Sequence, residues 1–204
     1  RFDGTMDRKS PYKGPPNHDV DVKWDKILPL RVMSIPEPIF QTLNASNSSV
    51  KTPSYLDLPP GRIALFDTMH HLHCVRELWK SAYPNYYTAA QRLTPSQHDD
   101  YIAHLDHCVD MLRQKLMCDS SSHLITYNWL KGHSHPHPNF NVEHKCKSYD
   151  DILEMEDRWG IKDLPKDGFV RGMYGEGEVV EFGGDEPPFD PRAEGSVWHH
   201  GGKS

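Results

Sequence analysis

Apolar residues recur every three or four positions in two central segments, and this period is typical of α-helices that bury one face. The segments span about residues 67–82 and 95–117. The second has a clear start, because Thr94 can cap the helix, Pro95 suits its first position and Gln97 completes a capping box. An aliphatic stripe on this helix is expected to face a core shared with the first helix: Ile102, Leu105, Val109, Leu112 and Leu116.

Weaker patterns predict three further elements: short helices at about 20–28 and 149–159, and an extended run at 63–66. Residues 1–20 are polar and contain proline, which predicts an extended N-terminal arm. Residues 164–204 are rich in glycine, proline and acids, which predicts an irregular tail. The sequence therefore predicts a mainly α fold with little β structure, in which residues 21–163 form one domain between the arm and the tail.

Aromatic side chains are expected to pack around the two central helices. The residues concerned are Trp79, Tyr83, Tyr86, Tyr87, Tyr127 and Trp129. The formal net charge of -6 and the lack of a basic run argue against a nucleic-acid partner. No stretch of about 18 apolar residues predicts a membrane span.

Two sequons beginning at Asn44 and Asn47 are adjacent glycosylation candidates in a polar segment. Together with four cysteines, they favour a secretory compartment in which disulfides are stable. Because the chain begins at Arg1, we expect it to be the lumenal portion of a longer protein.

One motif, His-x-x-His-Cys, occurs twice with corresponding positions thirty-four residues apart. Its copies begin at His70 and His104, each within a predicted helix. Residues three apart share a helix face, so two imidazoles at this spacing can reach one metal ion. The repetition predicts a paired metal site whose ligands are His70, His73, His104 and His107, with His144 as a further candidate.

The cysteines allow two interpretations. Cys74 and Cys108 follow the motif histidines, and they could form a disulfide between the helices or act as ligands. A bond between Cys108 and Cys118 is excluded if the helix is continuous, because about 15 Å would separate them. Cys118 and Cys146 are the candidates for another disulfide. The segment 131–138 contains three histidines and two prolines, which predicts a polar loop without a regular strand face.

At these residues the chain resembles the UstYa-like family of fungal biosynthetic proteins, whose hallmark is two HxxHC motifs. The similar segments are Ser10–Pro16, Val20–Asp21 with Trp24, His70–Cys74, Tyr83–Tyr87, His104–Cys108, Leu112–Gln114, Met117–Cys118 and His144–Cys146. The resemblance covers roughly residues 10–160.

The resemblance implies a copper oxidase that uses dioxygen to tailor a peptide natural product, especially by oxidative cyclisation. It also implies an N-terminal membrane helix in the full-length protein, a lumenal location and mycotoxin or secondary-metabolite biosynthesis. Hydroxylation or desaturation by the same site is an alternative reaction. Partners would be the peptide, dioxygen and either a second copy or another family member.

The residues themselves leave the metal open. Imidazole binds copper, iron and zinc alike, whereas oxidation by dioxygen needs a metal that changes valence. A non-catalytic protein with a structural zinc or copper site is therefore the competing hypothesis. A thiol oxidoreductase is disfavoured because the chain has no Cys-x-x-Cys.

Overall fold

A computed structural model describes residues 2–5, 7–43, 45 and 49–162. The glycosylation candidates Asn44 and Asn47 and the predicted tail at 164–204 lie outside the described residues. Within the described residues, no helix combines the length and the apolar character that crossing a bilayer requires.

The predicted mainly α fold is confirmed. The helices are α1 (His18–Ile27), α2 (Glu37–Phe40), α3 (Asp67–Ser81), α4 (Pro95–Asp119) and α5 (Asp150–Trp159). The strands are β1 (Met33–Pro36), β2 (Gly61–Ala64), β3 (Thr126–Asn128) and β4 (His137–Asn139), and they form two small antiparallel sheets. The chain divides into two compact units, one comprising Arg1–Pro29 and His71–Tyr149, and the other Leu30–His70 with the residues from Asp150 onward.

In the first unit, α1 packs on α3 through aromatic rings. Asn17 caps α1 by accepting a hydrogen bond from the backbone N–H of Val20. Buried Trp24 stacks on Trp79 with ring centroids 6.3 Å apart, and its Nε1 donates to the carbonyl of Tyr12 at 3.2 Å. These contacts fix α1 against the helix that carries the first motif.

Charged contacts join the same two helices. Arg76 of α3 pairs with Asp25 at 2.7 Å and lies 3.8 Å from Asp21. Tyr87 donates a hydrogen bond to Asp21 at 2.7 Å. Burial, followed by this hydrogen bond, raises the pKa of Tyr87, so its hydroxyl stays protonated in the physiological range.

The predicted start of α4 is confirmed. Thr94 accepts a hydrogen bond from the backbone N–H of Gln97, and the Gln97 side chain accepts one from the backbone N–H of Thr94. Pro95 occupies the first helical position, where a missing N–H costs no hydrogen bond. The helix extends two residues past the predicted end at 117.

The expected orientation of α4 is wrong. Its aliphatic stripe was predicted to face the core, yet Val109 is 54% exposed and Leu116 is 71% exposed. Cys108, on the histidine face, is the buried residue of the helix. The physical reason is that α3 meets α4 through its own cysteine and histidines, which leaves Val109 and Leu116 of the stripe exposed.

In the second unit, β1 pairs with β2 and packs against α2 and α5. Its core contains Met33, Ile35 and Phe40, with Trp159 of α5 packed against them. The sequence predicted an extended run near β2 but missed β1. Gly61 lies opposite Pro36 in this pair, and a Cβ atom on Gly61 would collide with the backbone carbonyl of Ile35, so glycine is required there.

Charged side chains complete this unit. Buried Arg62 pairs with Glu37 at 3.0 Å and lies 4.6 Å above the ring of Phe40. Glu156 of α5 is 1% exposed, and burial raises the pKa of its carboxyl, while the nearby Arg31 opposes the shift.

Two predictions about the later loops are wrong. The histidine-rich segment contains a strand, because His137–Asn139 pairs with Thr126–Asn128. The two strands of this short hairpin form hydrogen bonds with each other despite the proline. Each strand is an edge strand, and on its outer edge a missing N–H donor costs no hydrogen bond. Tyr127 and Trp129 were expected to pack on the core, but they are 65% and 76% exposed because this hairpin carries them on its surface.

Replacing Trp24 by alanine should lower the free energy of unfolding by about 3–5 kcal/mol, because it removes a buried ring and a hydrogen bond. Urea denaturation followed by circular dichroism measures the change. Trp129→Ala is the matched control and should change stability by about 0.5 kcal/mol or less. Equal effects of the two substitutions would contradict the assigned packing of α1.

Candidate metal centre

Helices α3 and α4 bring three of the predicted ligands together. The rings of His73 and His104 lie 5.5 Å apart between centroids and 26° from parallel. The rings of His104 and His107 lie 6.5 Å apart and 22° from parallel. All three imidazoles are half-buried, so water reaches them from one side.

His70 lies one helical turn before His73 on α3, and the spacing places both on one face of that helix. The boundary between the two compact units falls between His70 and His71. His70 is half-buried, whereas its neighbour His71 is 8% exposed.

Cys74 and Cys108 hold α3 and α4 together beside the histidines. Both side chains are fully buried, and their thiols share a hydrogen bond. Burial, and then this hydrogen bond, raise the pKa of Cys108 to about 12, and Glu77 adds to the shift. The Cys108 side chain is therefore a neutral thiol in this arrangement.

All four cysteines are described, and each carries a reduced thiol in this structure. Cys118 and Cys146 are exposed. Both predicted disulfides therefore stay predictions, although only the pair formed by Cys74 and Cys108 has its thiols in contact here.

The fifth candidate ligand, His144, follows the β3–β4 hairpin. Its ring stacks on Phe2 at 3.7 Å and lies 4.5 Å from the ring of His123. The backbone N–H of Phe2 donates to the carbonyl of Val142 at 2.8 Å, which holds the N-terminal arm along this segment. A ligand role for His144 stays a prediction.

The donor set suits a transition metal, because imidazole nitrogen is a ligand for copper, iron and zinc. In the described part of the chain, no three His, Cys, Asp or Glu side chains converge closely enough to hold an ion as they stand. Metal–imidazole bonds are about 2.0–2.1 Å long, so the nearly parallel rings of His73 and His104 would have to turn toward a shared ion. The residues therefore fit a metal by type and by proximity, and ligation requires side-chain rotation.

A cavity of about 460 Å³ lies in the same unit, between the end of α3 and the first half of α4. Its lining residues are Lys80, Ser81, Pro84, Tyr87, Ala90, Gln91, Leu93, His98, Tyr101, Ile102 and Leu105. Tyr101 lies one helical turn before His104, and Leu105 follows His104 directly. The cavity is thus adjacent to the histidine cluster along α4.

The sequence reasoning missed this cavity and Tyr101. The signal was present, since Tyr101, His104 and Cys108 are three and four residues apart and share one helix face. Burial, and then the negative charge of Glu77, raise the pKa of Tyr101, so its phenol stays protonated.

Comparison with known proteins gives one consistent family. The family model described as "Mycotoxin biosynthesis protein UstYa" matches residues 1–159. The UstYa family oxidase aprY of Aspergillus flavus is 36% identical over 94 residues, which are 44% of this chain and 28% of that protein. The UstYa family oxidase phomYe of Diaporthe leptostromiformis is 36% identical over 105 residues, 51% of this chain and 34% of that protein.

A third relative, the UstYa family oxidase phomYc of Diaporthe leptostromiformis, is 21% identical over 147 residues, 71% of this chain and 57% of that protein. The chain thus spans about a third of the length of the first two relatives and somewhat over half of the third. No solved structure matches the chain.

Alkylation should distinguish the four cysteines. In the native reduced protein at pH 8, iodoacetamide should modify Cys118 and Cys146 and leave Cys74 and Cys108 unmodified, because the latter pair is buried. Peptide mass spectrometry measures the modified sites. Rapid modification of Cys108 in the folded protein would contradict its assigned burial.

A second sample, to which no reductant is added, is denatured and then alkylated. This sample tests whether Cys74 and Cys108 form a disulfide. Modification of all four cysteines would identify Cys74 and Cys108 as thiols. Modification of Cys118 and Cys146 alone would identify a bond between the other two.

Proposed function

The chain belongs to the UstYa family, and from this premise we propose that it is part of a copper-dependent oxidase that tailors a peptide natural product. Oxidative cyclisation is the reaction we favour, with a location in the secretory lumen. The proposal is supported by the family's description as mycotoxin biosynthesis proteins and by the oxidase names of the relatives.

The observation that carries the metal proposal is the meeting of His73, His104 and His107 from two helices. These three residues, with His70 on the adjoining turn of α3, would hold the copper. Copper changes valence and would supply electron transfer between the substrate and dioxygen. The neighbouring cysteines would keep α3 and α4 at the separation that the histidines need.

The overall reaction can be balanced without a further reductant. Forming one new bond with loss of two hydrogen atoms is a two-electron oxidation of the peptide. Dioxygen accepts the two electrons and two protons and becomes hydrogen peroxide. Hydroxylation by the same site would need an added electron donor, and this favours cyclisation as the simpler proposal.

The cavity would bind a side chain of the peptide next to the histidines. Three polar side chains of the lining already have partners, since Lys80 pairs with Glu77, Tyr87 donates to Asp21 and Gln91 donates to the carbonyl of Pro84. The lining also contains the imidazole of His98 and the phenol of Tyr101, so polar and apolar groups contribute about equally to it. An uncharged aromatic side chain that also carries a polar group therefore fits the cavity best.

A structural metal site is the second candidate function. It is favoured by the buried pair Cys74 and Cys108, which lies next to His73 and His107 and offers the sulfur and nitrogen donors typical of structural zinc. In that case the metal would stabilise the contact between α3 and α4 and carry no electrons.

Metal loading tests the first candidate. The protein purified without added metal and then loaded with copper should retain near-stoichiometric copper by elemental mass spectrometry and should give a copper(II) electron paramagnetic resonance signal. His73→Ala and His107→Ala should each weaken copper binding by about a hundredfold or more, because each removes a ligand. Their circular dichroism spectra should be unchanged.

The control is His18→Ala, which removes an exposed imidazole at the start of α1 and should leave copper binding unchanged. Tightly held zinc that copper cannot displace would favour the structural site. Unchanged copper binding in both His73→Ala and His107→Ala would contradict the ligand assignment.

A further inference from the structure

The exposed stripe on α4 is the largest departure from the expected packing, and it lies outside the candidate metal centre. Val109 and Leu116 are more than half exposed, while Leu105 and Leu112 are half-buried. Aliphatic residues placed regularly on one outward helix face indicate a partner that covers them.

The spacing of the stripe identifies the kind of partner. Leu105, Val109, Leu112 and Leu116 are separated by four, three and four residues, which is the repeat of a helix that packs along a second helix. The face is narrow and runs along α4. We propose that α4 pairs with α4 of a second copy of this chain in an antiparallel dimer.

The charges beside the stripe select the antiparallel arrangement. With the two-fold axis between Asp110 and Met111, Leu105 lies opposite Leu116 of the partner subunit. In the same register, Val109 lies opposite Leu112 of the partner subunit. Asp106 and Arg113 of the partner subunit then lie on the same side of the seam, and their positions along the helix axis differ by about 3 Å. The symmetry creates this opposite-charge contact twice.

Sliding the helices by one heptad removes this complementarity. Leu105 would then lie opposite Val109 of the partner subunit, and Asp106 would approach Asp106 of the partner subunit. Two like charges at this distance are unfavourable. Apolar residues of the stripe face each other in both registers, since Ile102 would lie opposite Leu112 of the partner subunit after the slide. The charged positions therefore select the first register.

Arg113 can form an ion pair with the partner subunit because its ion pair within α4 is exposed to solvent. It pairs with Asp110 on its own helix, and both side chains are more than half exposed. Such a pair contributes little stability. The acids next to the stripe, Asp106 and Asp110, also disfavour an anionic membrane surface as the occupant.

Sedimentation velocity at protein concentrations from about 1 to 200 µM tests the dimer. The unmodified chain should shift from monomer to dimer over this range. Val109→Glu should weaken the dimer about tenfold or more, because it places a charge at the seam of each copy. Ala103→Glu, an exposed position on another face of α4, should leave the dimer unchanged.

A charge exchange tests the register. Asp106→Arg should weaken the dimer by placing it near Arg113 of the partner subunit, and the double variant Asp106→Arg with Arg113→Asp should restore it. A purely local effect on α4 would not be rescued by the second substitution. Circular dichroism establishes that each variant remains folded.

Disulfide mapping distinguishes the two directions. In a background of Cys118→Ser and Cys146→Ser, a mixture of the Val109→Cys and Leu112→Cys variants should form the mixed disulfide. Disulfides that form within each variant alone, and not between the two, would indicate a parallel pair and overturn the proposal. A chain that stays monomeric at the highest concentration, or a dimer unaffected by Val109→Glu, would also overturn it and would point to another segment or a membrane as the occupant of the stripe.

Discussion

The buried contact between Cys74 and Cys108 fixes how α3 and α4 face each other. Each cysteine directly follows the second histidine of its motif, so bringing the two sulfur atoms together also brings the motif histidines together. His73 is the residue before Cys74, and His104 lies one helical turn before Cys108. An oversized side chain at either cysteine would separate the histidine rings, because the close-packed contact has no space for added volume.

The sequence predicted the helices better than the faces they bury. The start of α4 was predictable because Thr94 and Gln97 satisfy backbone groups within one turn, and no distant residue can alter that. The orientation of α4 was not predictable, since the aliphatic stripe is adjacent to the face that carries His104, His107 and Cys108, and the sequence does not show which of the two faces α3 covers. Periodicity identifies an apolar face but does not identify what covers it.

The candidate site shows the same division. The repeated spacing was sufficient to nominate His73, His104 and His107, because three-residue spacing on a helix is local geometry. The cavity was not predictable, since its walls come from α3, α4 and the turn between them. The strand β1 was missed for a related reason: its hydrogen-bond partner, β2, lies about two dozen residues away, and pairing over that separation leaves little local signal.

Leu105 connects the proposed chemistry with the proposed assembly. It lines the cavity beside His104 and is also the first residue of the dimer seam. A partner helix packed on Leu105 would restrict the motion of that cavity wall, so dimerisation and ligand binding would influence each other. The linkage is reciprocal, and a bound side chain that holds Leu105 in place should favour the dimer to the same extent that the dimer favours binding. Val109 lies one turn further along α4 and does not line the cavity. A substitution at Val109 therefore changes dimerisation without changing the cavity wall directly.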